Sequence, residues 1–215
     1  MGYAAGSGLG AASQNTFIGE GAGYSVNIGE SNACLGYNTM FLSTEGDYCV
    51  AIGREALAGG AMTADHNIAI GYKALFDATD PGGGNGNNTF VGGYAGQDIT
   101  TGADNTGIGF NAGGTLTTGD YNVCLGRYAG HNQVSTGDKE LWIANDNVGS
   151  GNVKCWIHGN SSGACYQGNN SSTWSTGSDR RLKKNIVDNT KGLAEIKQLR
   201  AVSYTHLTLP TILLV

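Results

Sequence analysis

Apolar and polar positions follow a long repeat over roughly the first two thirds of the chain. An aliphatic residue followed by glycine recurs at intervals of 17, 17, 18, 21, 17 and 17 residues, at Gly19, Gly36, Gly53, Gly71, Gly92, Gly109 and Gly126. Alanine usually stands three residues after this repeat glycine, and asparagine four residues before it. Such a period is typical of a chain built from one structural unit stacked many times.

The repeat predicts a mainly β fold, a parallel β-solenoid or β-roll of about eight 17-residue coils over residues 1–137. Glycine permits positive φ at turns, and branched residues beside a turn favour a short strand. We therefore expect two short strands in each coil, stacked in parallel on the neighbouring coils. Gly2 lies one period before Gly19, so the sequence is expected to begin inside a coil. The segment Pro81–Gly86, inside the longest interval, is expected to form a loop.

The expected core of each coil is small. Each coil offers one large aliphatic residue, the one before the repeat glycine, and one alanine for burial. Ordering seventeen residues costs much backbone entropy, which so little apolar burial offsets poorly. A partner surface would supply the missing burial, so an oligomer is expected, most simply a threefold bundle of rods. The Asp and Asn residues of the repeat are interpreted as turn formers.

The charges divide the chain into two parts. Residues 1–177 carry 5 basic and 14 acidic side chains, a balance of −9, and residues 178–215 carry 7 basic and 3 acidic side chains, a balance of +4. The acidic body argues against nucleic acid as a partner. No apolar stretch of about 20 residues and no leader with a charged start and an apolar core is visible, so neither membrane insertion nor a signal peptide is predicted.

The cysteines are five and widely spaced: Cys34, Cys49, Cys124, Cys155 and Cys165. None stands in the C-x-x-C spacing of metal or redox sites, and we predict no metal and no cofactor. Burial as small apolar side chains is the preferred interpretation. A disulfide between Cys155 and Cys165 across a hairpin is the alternative.

Residues 138–177 are interpreted as a β connector. The short apolar runs 141–143 and 155–157 predict two strands, separated by Asn, Gly and Ser. All three tryptophans lie here, at Trp142, Trp156 and Trp174. We favour ordinary packing for them over a carbohydrate-binding platform, because no acidic residues cluster beside them.

Other solenoids fit the sequence less well. Hexapeptide-repeat acyltransferases share the aliphatic-Gly-x-x-Ala unit, but they use three hexads per coil and a catalytic histidine. This chain has one such unit per coil, and the three histidines within residues 1–177 share no repeat position: His66, His131 and His158. Ice-binding solenoids need threonines on one face, whereas the adjacent Thr100 and Thr101 would point to opposite faces of a strand. The Gly-Gly-x-Gly-x-Asp repeat of calcium-binding solenoids is absent.

The segment Ser178–Ile186 holds the best candidate for covalent chemistry. It reads Ser-Asp-Arg-Arg-Leu-Lys-Lys-Asn-Ile and places the Ser178 hydroxyl five residues before the Lys183 amine. A serine nucleophile needs a base within hydrogen-bond distance, and lysine can serve only when neutral, so its pKa must fall from about 10.4. Like-charge repulsion would lower the pKa of Lys183, and the nearby cations are Arg180, Arg181 and Lys184.

The body of the chain resembles known trimeric fibres. Residues 15–23, Asn-Thr-Phe-Ile-Gly-Glu-Gly-Ala-Gly, and residues 105–113, Asn-Thr-Gly-Ile-Gly-Phe-Asn-Ala-Gly, are similar to the head repeats of trimeric autotransporter adhesins. They are also similar to repeats in the tail fibres of phages and algal viruses. The resemblance implies a trimeric parallel β-roll over residues 1–137.

Ser178–Ile186 resembles the opening motif Ser-Asp-x-Arg-Leu-Lys-x-Asn-Ile of the self-cleaving intramolecular chaperone of phage tailspikes and endosialidases. The resemblance implies that residues 178–201 begin a domain that aligns three chains and is then severed at Ser178, with Lys183 as the general base. Leu193, Ile196 and Leu199 favour a helix over about residues 190–200, as in that family. Residues 202–215 resemble a reading frame of a sequencing adapter and are expected to be an artefact.

These observations predict a structural fragment of a trimeric viral tail fibre or tailspike. Its expected partners are two further copies of the chain and a host-surface receptor, with a glycan as one candidate. Its expected location is the virion. Any enzyme activity would be a single autoproteolytic cut of the serine peptidase type. The alternative is a trimeric adhesin on a cell surface that carries the same chaperone.

Overall fold

The computed structural model describes residues 2–79, 86–131, 136–145 and 155–167. The chain divides into two compact units, Met1–Trp174 and Ser175–Val215, and every described residue belongs to the first. The predicted loop after Thr79 lies outside the described residues except for Gly86, and so does the predicted helix over residues 190–200.

The described residues form one ten-stranded sheet in which the strands follow each other in sequence order. The first eight strands pair in parallel, and the last two pair antiparallel to their neighbours. The strands are β1 (Thr16–Ile18), β2 (Ala33–Leu35), β3 (Val50–Ile52), β4 (Ile68–Ile70), β5 (Thr89–Val91), β6 (Thr106–Ile108), β7 (Val123–Leu125), β8 (Leu141–Ala144), β9 (Cys155–Gly159) and β10 (Cys165–Gln167). The predicted parallel β-solenoid is thereby confirmed, with about seven turns, and no helix occurs among the described residues.

Each coil contributes one three-residue strand, so the prediction of two strands per coil is wrong. The cause lies in the stretch that follows the repeat glycine. There the second and fourth residues adopt the left-handed conformation, as at Glu55 with φ 60° and Leu57 with φ 54°. Alternating left-handed residues curl the backbone and prevent an extended strand.

The middle residue of each parallel strand points into the solenoid, and its two neighbours point outward. Cys34, Ala51 and Phe90 are middle residues and are at most 1% exposed. The aliphatic residue before the repeat glycine points outward, and Ile18 and Leu35 are 50% and 49% exposed. The expectation that this residue fills the core is therefore wrong. Strand alternation gives the inward direction to its smaller or aromatic neighbour instead.

Each coil fills the core with a large residue at one of two other positions, either four or seven residues after the repeat glycine. Where the fourth residue is large and buried, the seventh is small: Met40 with Ser43, Leu57 with Gly60, and Leu75 with Ala78. Where the fourth is glycine, the seventh is large and buried: Gly23 with Val26, Gly96 with Ile99, and Gly113 with Leu116. Each coil thus reaches a similar packed volume by its own combination, as close-packed interiors require.

Alanine three residues after the repeat glycine is buried in every described coil except where Thr39 replaces it or where the first coil begins. The asparagine four residues before the glycine is also buried and forms a column through the coils. In this Asn column the amide of one coil bonds to the backbone of the next. Asn105 Nδ2 donates to Gly119 O at 2.8 Å, and Asn122 N–H donates to Asn105 Oδ1 at 2.9 Å. The interpretation of these asparagines as turn formers is wrong, because they cross-link stacked coils.

The two predicted connector strands are confirmed as β8 and β9, and they close the solenoid with β10. Trp142 on β8 points inward and is 8% exposed, whereas Trp156 on β9 is 61% exposed, and Trp174 lies outside the described residues. The disulfide alternative does not form, since both thiols are free and Cys165 pairs with Gly159 rather than with Cys155. Four cysteines are buried as predicted, and Cys165 is exposed.

Candidate functional site

The predicted catalytic pair, Ser178 and Lys183, lies outside the described residues. The roles of nucleophile and general base therefore stay predictions. The described unit offers three surface features in their place: the outer face of the sheet, an aromatic corner, and a column of carboxylates.

The outer face of the parallel strands, here called the aliphatic face, consists of two straight columns of outward residues. In-register pairing keeps the columns aligned from β1 to β8. One column is Ile18, Leu35, Ile52, Ile70, Val91, Ile108, Leu125 and Ile143, and the other is Thr16, Ala33, Val50, Ile68, Thr89, Thr106, Val123 and Leu141. Eight strands at a spacing of ~4.8 Å make this face roughly 34 Å long.

The aliphatic face carries no charged side chain. One of its columns is aliphatic throughout, and the other contains Thr16, Thr89 and Thr106. Large contiguous apolar patches on protein surfaces commonly mark interaction sites. Sequence reasoning found the column before the repeat glycine but assigned it to the core. The signal that could have corrected this is alternation: in Val50-Ala51-Ile52 the small middle residue fits the narrow interior, and the two larger ones do not.

The aromatic corner is formed by residues one and two positions after the repeat glycine. Tyr72, Tyr94, Phe110 and Tyr128 contact each other edge-to-face, with successive ring centroids 5.0, 5.7 and 5.5 Å apart. Cations cover the rings: the Arg54 guanidinium lies 5.3 Å from the Tyr37 centroid, Lys73 Nζ 5.8 Å from that of Tyr72, and the Arg127 guanidinium 4.6 Å from that of Tyr128. Positive charge on an otherwise acidic body is concentrated at this corner.

The carboxylate column lies six residues before the repeat glycine, at the turns. Its side chains accept backbone N–H groups from the preceding coil, for example Asp65 Oδ1 from Asp47 at 2.9 Å and Asp120 Oδ1 from Ala103 at 2.8 Å. Like the amides of the Asn column, these carboxylates cross-link stacked coils, so the interpretation as turn formers is wrong here too. No group of three or more His, Cys, Asp or Glu side chains that could hold a metal ion occurs within the described ranges.

The buried thiols are chemically quiet. Burial raises the pKa of Cys34, Cys49 and Cys124 to about 12, so these side chains are neutral thiols at physiological pH. The histidines sit in three unrelated environments: His66 stacks on Tyr48, His131 contacts Tyr128, and His158 stacks on Trp142. They form no shared site.

In the part of the chain that the structure describes, no helix has the length and apolar character needed to cross a membrane. Comparisons with curated proteins and with solved structures give no match. Residues 178–209 match the family model described as the chaperone of endosialidase. The match begins at Ser178 and ends eight residues into the segment 202–215, so that boundary stays a prediction. C-terminal to the β-solenoid in sequence, the chain thus carries a segment that is similar to the endosialidase chaperone family.

Proposed function

We propose that this chain is part of a trimeric viral tail fibre or tailspike. In this proposal the solenoid is the rod, and the C-terminal segment is an assembly chaperone that is released by a cut at Ser178. The observation that carries the proposal is the occurrence, in one chain, of a solenoid with an aliphatic face and a chaperone match at residues 178–209.

The aliphatic face supports the trimer. Three parallel rods around a common axis can each bury one such face along its whole length, which removes apolar surface from water in every coil. Every coil would gain from this burial, because the aliphatic face continues through every coil. Ile52, Ile70 and Ile108 then meet their equivalents in the partner chains near the axis.

The proposed cut uses Ser178 and Lys183 as nucleophile and base. The neutral amine of Lys183 accepts the proton of the Ser178 hydroxyl while Oγ attacks a backbone carbonyl. The peptide C–N bond then breaks as the Lys183 ammonium returns this proton to the leaving amine, and water hydrolyses the resulting ester to a carboxylate and the free Ser178 hydroxyl. Each chain is cut once, so the reaction has no turnover. Loss of the chaperone removes the element that helps chains assemble, and the remaining trimer persists because unfolding is slow.

A denaturing gel tests the cut. The chain is expressed with the remainder of a complete endosialidase-type chaperone joined after residue 201. We expect two fragments for this protein and one band for Ser178→Ala and for Lys183→Ala. Lys183→Arg is also expected to stay intact, because arginine keeps the charge but cannot be deprotonated.

Lys184→Ala is the matched control, since Lys184 stands at a variable position of the motif and Arg180 and Arg181 still supply like charge beside Lys183. This variant should still be cut. Cleavage in Lys183→Ala would show that another group is the base, and cleavage in Ser178→Ala would remove the proposed nucleophile.

Light scattering tests the trimer. Ile70→Lys places a charge in the middle of the aliphatic face and should convert trimers to lower-mass species, because burying an unpaired charge is costly. Thr101→Lys adds the same charge at an exposed position off this face and should leave the mass unchanged. A single-chain mass for the parent protein would contradict the proposal directly.

A cellular surface adhesin with the same chaperone is the second candidate, favoured by the likeness of residues 15–23 to adhesin head repeats. The two differ in what precedes the repeats in the complete gene. A signal peptide there would favour the adhesin, and a baseplate-binding domain would favour the virus. In both cases the rod would present its outer corners to a host-surface receptor.

A further inference from the structure

Five positions after the repeat glycine, a short aromatic column consists of Tyr24, Phe41 and Phe76 and is interrupted at Ala58, whereas the next two coils carry Gln97 and Gly114 there. Tyr24 and Phe41, on adjacent coils, stack with ring centroids 4.8 Å apart and planes 18° apart. The next coil has Ala58 at this position, and the following coil has Phe76. Phe41 and Phe76 are therefore two coil steps apart, and no ring stands between them.

The missing ring leaves a slot of about 290 Å³. It is lined by the rings of Phe41 and Phe76, by the small residues Ala58 and Gly59 between them, and by polar groups at Asn38 and Glu55. Two coil steps correspond to about 9.6 Å along the rod. This separation leaves room for one further ring-shaped group.

The shape of the slot is fixed by the small residues. A Cβ atom on Gly59 would lie 2.5 Å from Phe76 Cε1, so only glycine lets that ring rest against the backbone. Ala58 is 5% exposed and is already packed beneath the surface. The site is thus built on stacked coils, which hold it more firmly than a free loop would.

Two polar side chains lie at the slot: Glu55 is held by ion pairs, and Asn38 is available for a hydrogen bond to a ligand. The Glu55 carboxylate accepts from Arg54 Nε at 2.9 Å and pairs with Lys73 Nζ at 3.5 Å. Lys73 Nζ also lies 4.5 Å from the ring centroid of Phe76. The Asn38 backbone N–H donates to Glu20 O, and among the described residues its side-chain amide has no hydrogen-bond partner.

We propose that this slot binds one pyranose ring of a neutral glycan. The C–H faces of a pyranose can pack on the rings of Phe41 and Phe76, while its hydroxyls bond to the Asn38 amide and the Glu55 carboxylate. Ligand sites commonly combine aromatic walls with a few polar groups that fix orientation. The inference names a site and a ligand class for the receptor contact of the proposed fibre, and it does not depend on the cut at Ser178.

Charge and hydrogen bonding favour this ligand over two others. The Glu55 carboxylate lines the slot, and the cations beside it, Arg54 and Lys73, already pair with it, which makes them less available to an acidic sugar. An aromatic side chain from another protein would fill the space but would leave Asn38 and Glu55 without new hydrogen bonds. A neutral sugar satisfies both the rings and the polar groups.

To test the proposal, the full chain is titrated with four probes, and binding is measured by saturation-transfer NMR. These are the methyl glycosides of glucose, galactose and mannose, and p-cresol as a stand-in for an aromatic side chain. We expect at least one glycoside to bind. Ala58→Phe completes the aromatic column and should lower its affinity at least tenfold, and Phe41→Leu should lower it severalfold.

Phe110→Leu, in the aromatic corner, is the matched control and should leave the affinity unchanged. Unchanged circular dichroism and melting of Ala58→Phe would show that the loss is not unfolding. The proposal is overturned if no glycoside binds, if binding survives in Ala58→Phe, or if only p-cresol binds. None of these results would alter the denaturing-gel or light-scattering outcomes, so the slot and the assembly proposal fail separately.

Discussion

The Asn column inside the solenoid and the aliphatic column outside it are both regular in sequence, yet their environments are opposite. The buried members of the Asn column are at most 3% exposed, whereas Ile18, Leu35 and Ile108 are about half exposed. Asparagine is tolerated inside because the next coil satisfies its amide. A side chain that repeats in every coil therefore reports a contact made in the same way each time. That contact can be with another coil or with another molecule.

In the apolar interior, by contrast, the contacts differ from coil to coil and the residue at a given position varies. Large residues move between the fourth and seventh positions after the repeat glycine, as with Leu57 in one coil and Ile99 in another. Only the total volume of each coil is constrained, so no single position needs to be constant. The outward column is constant although no packing within the coil demands it. This contrast is the physical argument for the partner that we propose for the aliphatic face.

The largest effect is expected inside, for Asn105→Leu. The substitution keeps a similar shape but leaves Asn122 N–H and Gly119 O without their partners and removes one of the two hydrogen bonds to Asn88 Oδ1. At 1–3 kcal/mol for each unsatisfied group, the free energy of unfolding should fall by about 3–5 kcal/mol. Chemical denaturation measures this change.

Asn15→Leu is the control, because Asn15 makes the same kinds of bonds at the half-buried end of the column. Water can reach its partners there, so a loss of about 1–2 kcal/mol is expected. Equal losses at both positions would mean that burial of the column does not matter, and the contrast between inside and outside would lose its basis.

The sequence allowed the period, the parallel stacking and the connector strands to be predicted, because these depend on glycine, alanine and branched residues at fixed spacing. The direction in which each column faces was not predicted, although the alternation in Val50-Ala51-Ile52 was a signal for it. Ile70 has the hydropathy of a core residue, and Asn105 that of a turn, and their true positions follow from a strand only three residues long. The slot at Ala58 was not predicted, because it arises where an aromatic side chain is missing from the short aromatic column. Ser178 and Lys183 were found through a motif, which no described contact tests.

Gly96→Ala tests volume exchange inside a coil. Gly96 has φ +60°, and an added Cβ would lie 2.7 Å from Phe90 Cδ1. Left-handed strain and overpacking together should cost about 2–3 kcal/mol. Phe90→Leu on the same chain should recover part of this loss, since it frees the space that the new methyl group needs. A double variant as unstable as the sum of both single variants would show that the positions do not share volume.

Alkaline pH should destabilise the interior through its thiols. Burial raises the pKa of Cys34, Cys49 and Cys124 to about 12, from 9.0 for a free thiol. Between these values the unfolded chain loses protons that the folded chain keeps, so stability is intact below pH 9 and falls as the pH rises towards 12. Each thiol contributes a slope of about 1.4 kcal/mol per pH unit. Denaturation series should show a slope shallower by this amount in Cys124→Ala, and an unchanged slope would contradict the argument.

The smallest effect is expected where the Asn column is broken, at Cys49. Its backbone N–H still donates to Asn32 Oδ1 at 2.8 Å, but its thiol makes only weak contacts, with Asp47 O at 3.3 Å and Ala64 O at 3.7 Å. Cys49→Asn would offer Nδ2 to Ala64 O and Oδ1 to the backbone N–H of Asn67, at nearly the same side-chain volume. Two stronger hydrogen bonds should raise the free energy of unfolding by about 1 kcal/mol. A loss of stability would mean that the third coil has repacked around sulfur and that the column is tuned coil by coil, which would weaken the inference from repetition to contact.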